Sequence, residues 1–322
     1  MTMVEGGGGA GVAGGLAALD DDTTPAPRLS ARRKRRLREA GLGYLLVLPS
    51  LTIFGVFVFY PFLRNFFLGL YRVPPFPGLP RRYVGFEQYR DVLTSDEFRD
   101  SFVTTILFAL YTVPIGLALG LGLAVLAHQK LKGIGIYRTI FSSTVATSVA
   151  VASVIFGTLL NPQVGLLPYL GLESQPAILE NPDWALIAVS ITTIWQNLGL
   201  SFILMSSGLQ NVPDELLEAA EVDGAGSVSR FFRVTLPLLS PTIFFAVVVG
   251  SIFAFQSFGQ IDLLTQGGPL KKTNVLTYFI FTELRRPDDG KAAVLAIALF
   301  TITLILTLVQ LRFLERRVFY GR

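Results

Sequence analysis

The chain has 322 residues, 51% of them hydrophobic and 16% charged, with a mean hydropathy of +0.55; that balance excludes an ordinary soluble domain and indicates a polytopic membrane protein. The net charge of +4 does not point to nucleic acid, because Lys and Arg gather in tails and loops beside apolar runs, where they orient spans. With no cysteine and one histidine, His128, disulfides, thiolate chemistry and two-His metal sites are excluded.

Residues 1–27 are rich in Gly, Ala, Asp and Thr and predict a disordered tail, which we extend over the basic run Arg32–Arg38 to residue 40. Gly6, Gly8 and Gly11 match a dinucleotide fingerprint only formally, since no strand precedes them. The first span is expected over Gly41–Phe62 and is read as a retained anchor. A mixed-charge loop with Pro74, Pro75, Pro77 and Pro80 follows, then a second span over Phe102–Ala127 that contains Pro114. The third span, Tyr137–Leu160, is rich in small residues suited to close helix packing.

After a connection without Lys or Arg, the fourth span, Trp184–Leu209, holds Thr192, Thr193, Gln196, Asn197 and Ser201. The fifth, Leu236–Ile261, carries Gln256, Ser257 and Gln260 near its far end. Val275–Leu284 is apolar but too short to cross a bilayer, so it is expected to be interfacial or re-entrant. The sixth span is Ala292–Leu311. Six spans place both termini on one side. The segments on that side carry 7, 3, 2 and 4 Lys or Arg, and the opposite loops 6, none and 5. Positive residues mark the cytoplasmic side, which therefore takes both termini.

One polar interruption, residues 211–241, has helical grammar of its own. Asn211 is expected to cap a helix, with Pro213 in its first turn and Asp214 and Glu215 at the positive end of the macrodipole. Asp223 and Gly224 supply a turn, Ser227 begins a second helix, and Pro237 falls in the first turns of the next span. The charges of this segment each cost roughly 2.5 to 3.5 kcal/mol at the bilayer centre, so it lies outside the membrane. By the charge count it is cytoplasmic.

The interiors of the expected spans contain no Asp, Glu, Lys or Arg, Arg138 lying at the very start of the third, which argues against a proton-driven carrier. Gly290-Lys291 is not part of a Walker loop, and no GxSxG elbow or HExxH motif is present. A bundle with neither ion relay nor nucleotide site reads as one part of a machine powered elsewhere.

Glu218, Ala219, Ala220, Glu221, Asp223 and Gly224, followed by Phe232, Pro237 and Pro241, resemble the EAA loop of permease subunits in binding-protein-dependent ABC importers. Tyr60-Pro61, the run Tyr83–Tyr89 and Thr265–Pro269 resemble the sugar-permease branch. Val73–Phe76, Ile261-Asp262 and Val309–Glu315 are similar to glycerol-3-phosphate permeases. Ser142–Thr144 replaces the usual proline entering the third span, and Phe156 the usual tryptophan.

The resemblance implies an all-α type I importer permease of six transmembrane helices in a bacterial cell membrane. Residues 41–322 would form the permease domain, with no catalytic residue, metal or cofactor of its own. A second homologous permease, two ATP-binding subunits that hold ATP and Mg, and an external solute-binding protein are the implied partners. Glu218, Ala219, Ala220, Asp223, Gly224 and Pro237 are the implied coupling residues. By distance from Pro213 and Pro269, the sugar site of the related maltose permease maps onto Gln196, Asn197, Leu200, Phe253 and Ser257, with Gln256 adjacent. The same amides also suit hydrogen bonds between helices, worth about 0.6 to 2 kcal/mol each, and both readings stay open. The implied solute is sn-glycerol-3-phosphate or a glycerophosphodiester, with a sugar or oligosaccharide as runner-up and a stand-alone carrier as the rival class.

Overall fold

The computed structural model describes residues 29–74, 80–129, 132–171, 176–286 and 288–314. The expected tail through Pro27, the run beyond Pro74, Lys130, and Arg316, Arg317 and Arg322 lie outside those residues. The chain divides into two compact units, Met1–Pro61 and Phe62–Arg322.

In the first unit α1 (Leu29–Phe54) runs into a π-helical turn over Gly55–Phe59. Its start corrects the expected boundary at Gly41. The basic run is helical because Arg, Lys, Leu, Ala and Glu are strong helix formers, whereas the disorder-prone composition ends at Pro27. With α2 (Tyr60–Leu68) following, Arg38–Leu68 is long and apolar enough to cross a membrane.

The second unit opens with an antiparallel pair, β1 (Tyr71–Arg72) and β2 (Arg82–Tyr83), then α3 (Glu87–Leu93) and α4 (Asp96–Ala127). Ser95 caps α4, its hydroxyl accepting the Phe98 N–H at 3.2 Å, so the helix starts before Phe102 and continues through Pro114. The expected third span is not one rod. It comprises α5 (Ile134–Ser143) and α6 (Val149–Leu159), bent by 103°. At the break Ser148 turns extended and caps α6 through the Val151 N–H. The Thr144 hydroxyl accepts the Gly199 N–H at 2.7 Å, a tertiary bond that no hydropathy window registers.

A short α7 (Leu166–Tyr169) precedes α8 (Ala185–Gln210). Then come α9 (Asp214–Val222), α10 (Ser227–Arg230), a π-helical turn over Phe231–Thr235 and α11 (Leu236–Leu238). A 65° bend at Leu239 leads to α12 (Ser240–Phe255), so Pro237 sits before the apolar rod rather than in its first turns. The chain continues with α13 (Gly259–Leu264), α14 (Leu276–Arg285) and α15 (Asp289–Leu314).

The core is the seam between α4 and α8. A Cβ on Gly120 would lie 2.6 Å from Ser201 Cβ, and one on Gly208 would lie 2.8 Å from a Leu239 methyl. Only glycine lets these backbones approach so closely. Phe202, Met205, Leu209 and Leu239 fill one end of the seam, and Phe108, Val189, Ile261 and Val275 the other. Four helices of the described residues are long and apolar enough to span a bilayer, or up to six if each bent pair is one span.

Candidate solute cleft and coupling segment

A cleft of about 360 Å³ opens between α4, α8, α12 and the turn after α12. Gln196, Asn197 and Leu200 reach it from α8, and Phe253, Gln256 and Ser257 from α12 and its end, so all six expected pathway residues share one cavity. Gly116 and Gly250 leave room for it. No charged side chain lines it, and its polar groups are amides and hydroxyls.

These amides form a chain. Gln260 Nε2 donates to Gln196 Oε1 at 3.1 Å, and Gln196 Nε2 donates to the Thr147 carbonyl at 3.3 Å, in the break between α5 and α6. Ser257 Oγ donates weakly to Gln260 Oε1 at 3.4 Å. Asn197 Nδ2 bonds the Thr193 carbonyl at 3.1 Å. Gln196 therefore both lines the cleft and ties α8 to its neighbours. Gln256, exposed where α12 ends, makes no side-chain hydrogen bond among the described residues.

At the opposite end of α12 lies the helix-turn-helix. Glu218, Ala219, Asp223 and Gly224 are exposed, while Ala220 and Pro237 are half-buried. Asn211 ends α8 instead of capping the next helix, and Pro213 takes the cap position of α9. Gly224 adopts φ +82° with open space around its Cα, so backbone conformation rather than crowding demands glycine. Glu221 pairs with Arg230 and braces the two helices, leaving Glu218 and Asp223 without an ion pair among the described residues. Leu217 packs against the cluster of Met205, Leu209 and Leu239. Beside it Leu216, Val222, Val228 and Phe232 are exposed.

The profile of a family described as "Binding-protein-dependent transport system inner membrane component" matches residues 92–320, which include the cleft and the helix-turn-helix. The chain belongs to this family of inner-membrane permease components. Relatives of this permease include the sn-glycerol-3-phosphate transport system permease protein UgpA of Yersinia enterocolitica, 36% identical over 285 residues, or 87% of this chain and 96% of that one. The protein of the same name in Agrobacterium fabrum is 34% identical over 87% of this chain and 97% of its own. The fold resembles a chain of a bacterial ABC transporter involved in alginate import, with a TM-score of 0.75, 21% identity and coverage of 88% and 99%. A second structure of an alginate transporter, in complex with an oligosaccharide-bound periplasmic protein, gives a TM-score of 0.74 at 22% identity.

One residue of the permease's cleft escapes the mapping from Pro213 and Pro269. Gln260 is buried and connects Ser257 to Gln196. Its signal was the spacing of Gln256, Ser257 and Gln260, but the chain breaks at Gln256–Phe258 before α13, and continuous-helix periodicity misplaces it.

Proposed function

We propose that the chain is one of two related permease subunits that together enclose an alternating-access pathway for sn-glycerol-3-phosphate or a glycerophosphodiester. Two separate ATPase subunits bind ATP and Mg, and an external binding protein delivers the solute. The chain itself hydrolyses nothing and holds no cofactor. In this reading it crosses the membrane six times, each bent pair counting as one span, with both termini and residues 211–241 in the cytoplasm. Residues 41–322 form the permease domain.

The near full-length match to permeases of sn-glycerol-3-phosphate systems carries the reading. The geometry supplies a mechanism. The exposed knob built on Glu218, Ala219, Ala220, Asp223 and Gly224 offers apolar contacts and free carboxylates to an ATPase groove. Closure of the ATPases displaces α9, and Leu217 passes the displacement to Leu239, where α12 begins. Through Pro237 and α12 the movement reaches Phe253, Gln256 and Ser257 in the cleft. A phosphate there meets only amides and hydroxyls, weaker ligands than Arg or Lys. Weak contacts suit passage, and selectivity then rests on the binding protein.

The uncharged lining also favours a second reading, a neutral sugar or oligosaccharide. Reconstitution in proteoliposomes with the partner subunits decides between them. Uptake of labelled sn-glycerol-3-phosphate is expected only with ATP, ATPase and binding protein together. Uptake of sugar in its place would install the second reading, and flux through the chain alone would defeat both.

A further inference from the structure

A groove of about 640 Å³ lies apart from the solute cleft, between α4, the start of α8 and the strap over residues 265–275. Val103, Leu107, Leu186 and Ile187 give its wall an apolar stripe beside Thr104 and Tyr111, and its rim carries Arg99, Lys272, Asp100 and Asp183. Lys271, also on the rim, is held by Glu97 at 2.9 Å. Among the described residues the other four rim charges form no ion pair, so both signs stand free at one mouth.

The groove faces away from the solute. Leu107 lines the groove and Gly116 the cleft, nine residues apart on α4. At 3.6 residues per turn that separation is about two and a half turns, which puts them on opposite sides of the helix. The wall is open, with Val103 46% and Leu107 37% exposed. Its depth matches one leaflet. From Arg99 to Tyr111 the helix rises about 18 Å, against roughly 15 Å for half the hydrocarbon core. Trp184, 56% exposed at the same end of α8, marks the headgroup level.

A trough one leaflet deep with an apolar stripe along its wall, capped by free charges of both signs, fits a lipid that itself carries both signs. We propose that the groove holds an aminophospholipid of the leaflet on the strap side. Its phosphate lies against Arg99 and Lys272, its primary ammonium against Asp100 and Asp183, and one acyl chain along Val103, Leu107 and Ile187. Basic side chains between membrane helices bind lipid phosphates, and the two rim carboxylates add a preference for an ammonium that can donate hydrogen bonds. The site does not depend on the importer reading.

Native mass spectrometry of the full chain in detergent tests it, with phosphatidylethanolamine, phosphatidylcholine and phosphatidylglycerol of identical acyl chains. Phosphatidylethanolamine is expected to be retained roughly tenfold better than either of the others, the weight of one charge-assisted hydrogen bond. The exposed pair Asp100→Asn with Asp183→Asn should abolish that preference, and the exposed pair Arg99→Ala with Lys272→Ala should lower retention of all three lipids, neither affecting folding. Leu107→Trp should lower retention of all three lipids. Equal retention of the three lipids, or displacement by millimolar inorganic phosphate, overturns the proposal. So does a photo-crosslinker at position 107 that captures a second polypeptide instead of lipid.

Discussion

Gln196 engages both ends of its amide within the protein, whereas its neighbour in the cleft, Gln256, engages neither among the described residues. The two therefore respond differently to substitution. Gln196→Leu breaks two bonds between helices, and thermal unfolding in detergent should show a loss of about 1 kcal/mol, within the measured range for interhelical bonds in membranes. Gln256→Ala should leave the melting temperature unchanged and alter transport instead, raising the solute concentration needed for half-maximal uptake several-fold. Equal effects on melting would refute the division of roles. At the knob, Gly224→Val places a branched side chain at φ +82°, a conformation that costs about 1–2 kcal/mol. Co-purification with the ATPase subunits should fall, and intact assembly and uptake would count against the coupling role.

Among the elements, α9 touches the bundle through Leu217 while its other face is bare. Leu217→Ala should leave ATP hydrolysis in the assembled importer running while uptake falls at least about fivefold, because loss of the half-buried isopropyl group loosens the contact with the cluster around Leu239. A parallel fall in both activities would place the transmission elsewhere. On the far side of the bundle, Glu283 is 3% exposed and accepts from Arg286 at 3.2 Å, with Lys291 3.5 Å away. Lys291 also contacts Glu97 at 3.1 Å, which links α4, α14 and α15. Glu283→Ala removes a buried carboxylate and should cost about 3 kcal/mol in chemical unfolding, less if Glu97 draws Lys291 towards it.

The long uninterrupted helices α4, α8 and α15 are legible from hydropathy and length, since each carries an apolar run long enough to cross the bilayer. The breaks are not. At Thr144–Ser148 a side chain of one helix meets a backbone N–H of another, and at Leu239 a buried residue pins a bend, both products of tertiary contact. The six residues that share the cleft were placed by resemblance rather than by periodicity, and Gln260 was missed because it follows such a break.

At the scale of the molecule, the orientation is testable with unusual economy because the sequence contains no cysteine. Val222→Cys and Leu270→Cys each create a single thiol at a highly exposed position. In intact cells an impermeant maleimide should label the latter and spare the former, and the reverse pattern would invert the proposed topology. One further consequence follows from α12. Its 16 residues make a rigid strut of about 24 Å with the bend at one end and Gln256 at the other. A strut can be jammed from either end. A bulky, non-transported compound lodged beside Phe253 should therefore arrest nucleotide turnover on the opposite side of the membrane without approaching the ATPase, an inhibitor recognised by its failure to compete with ATP.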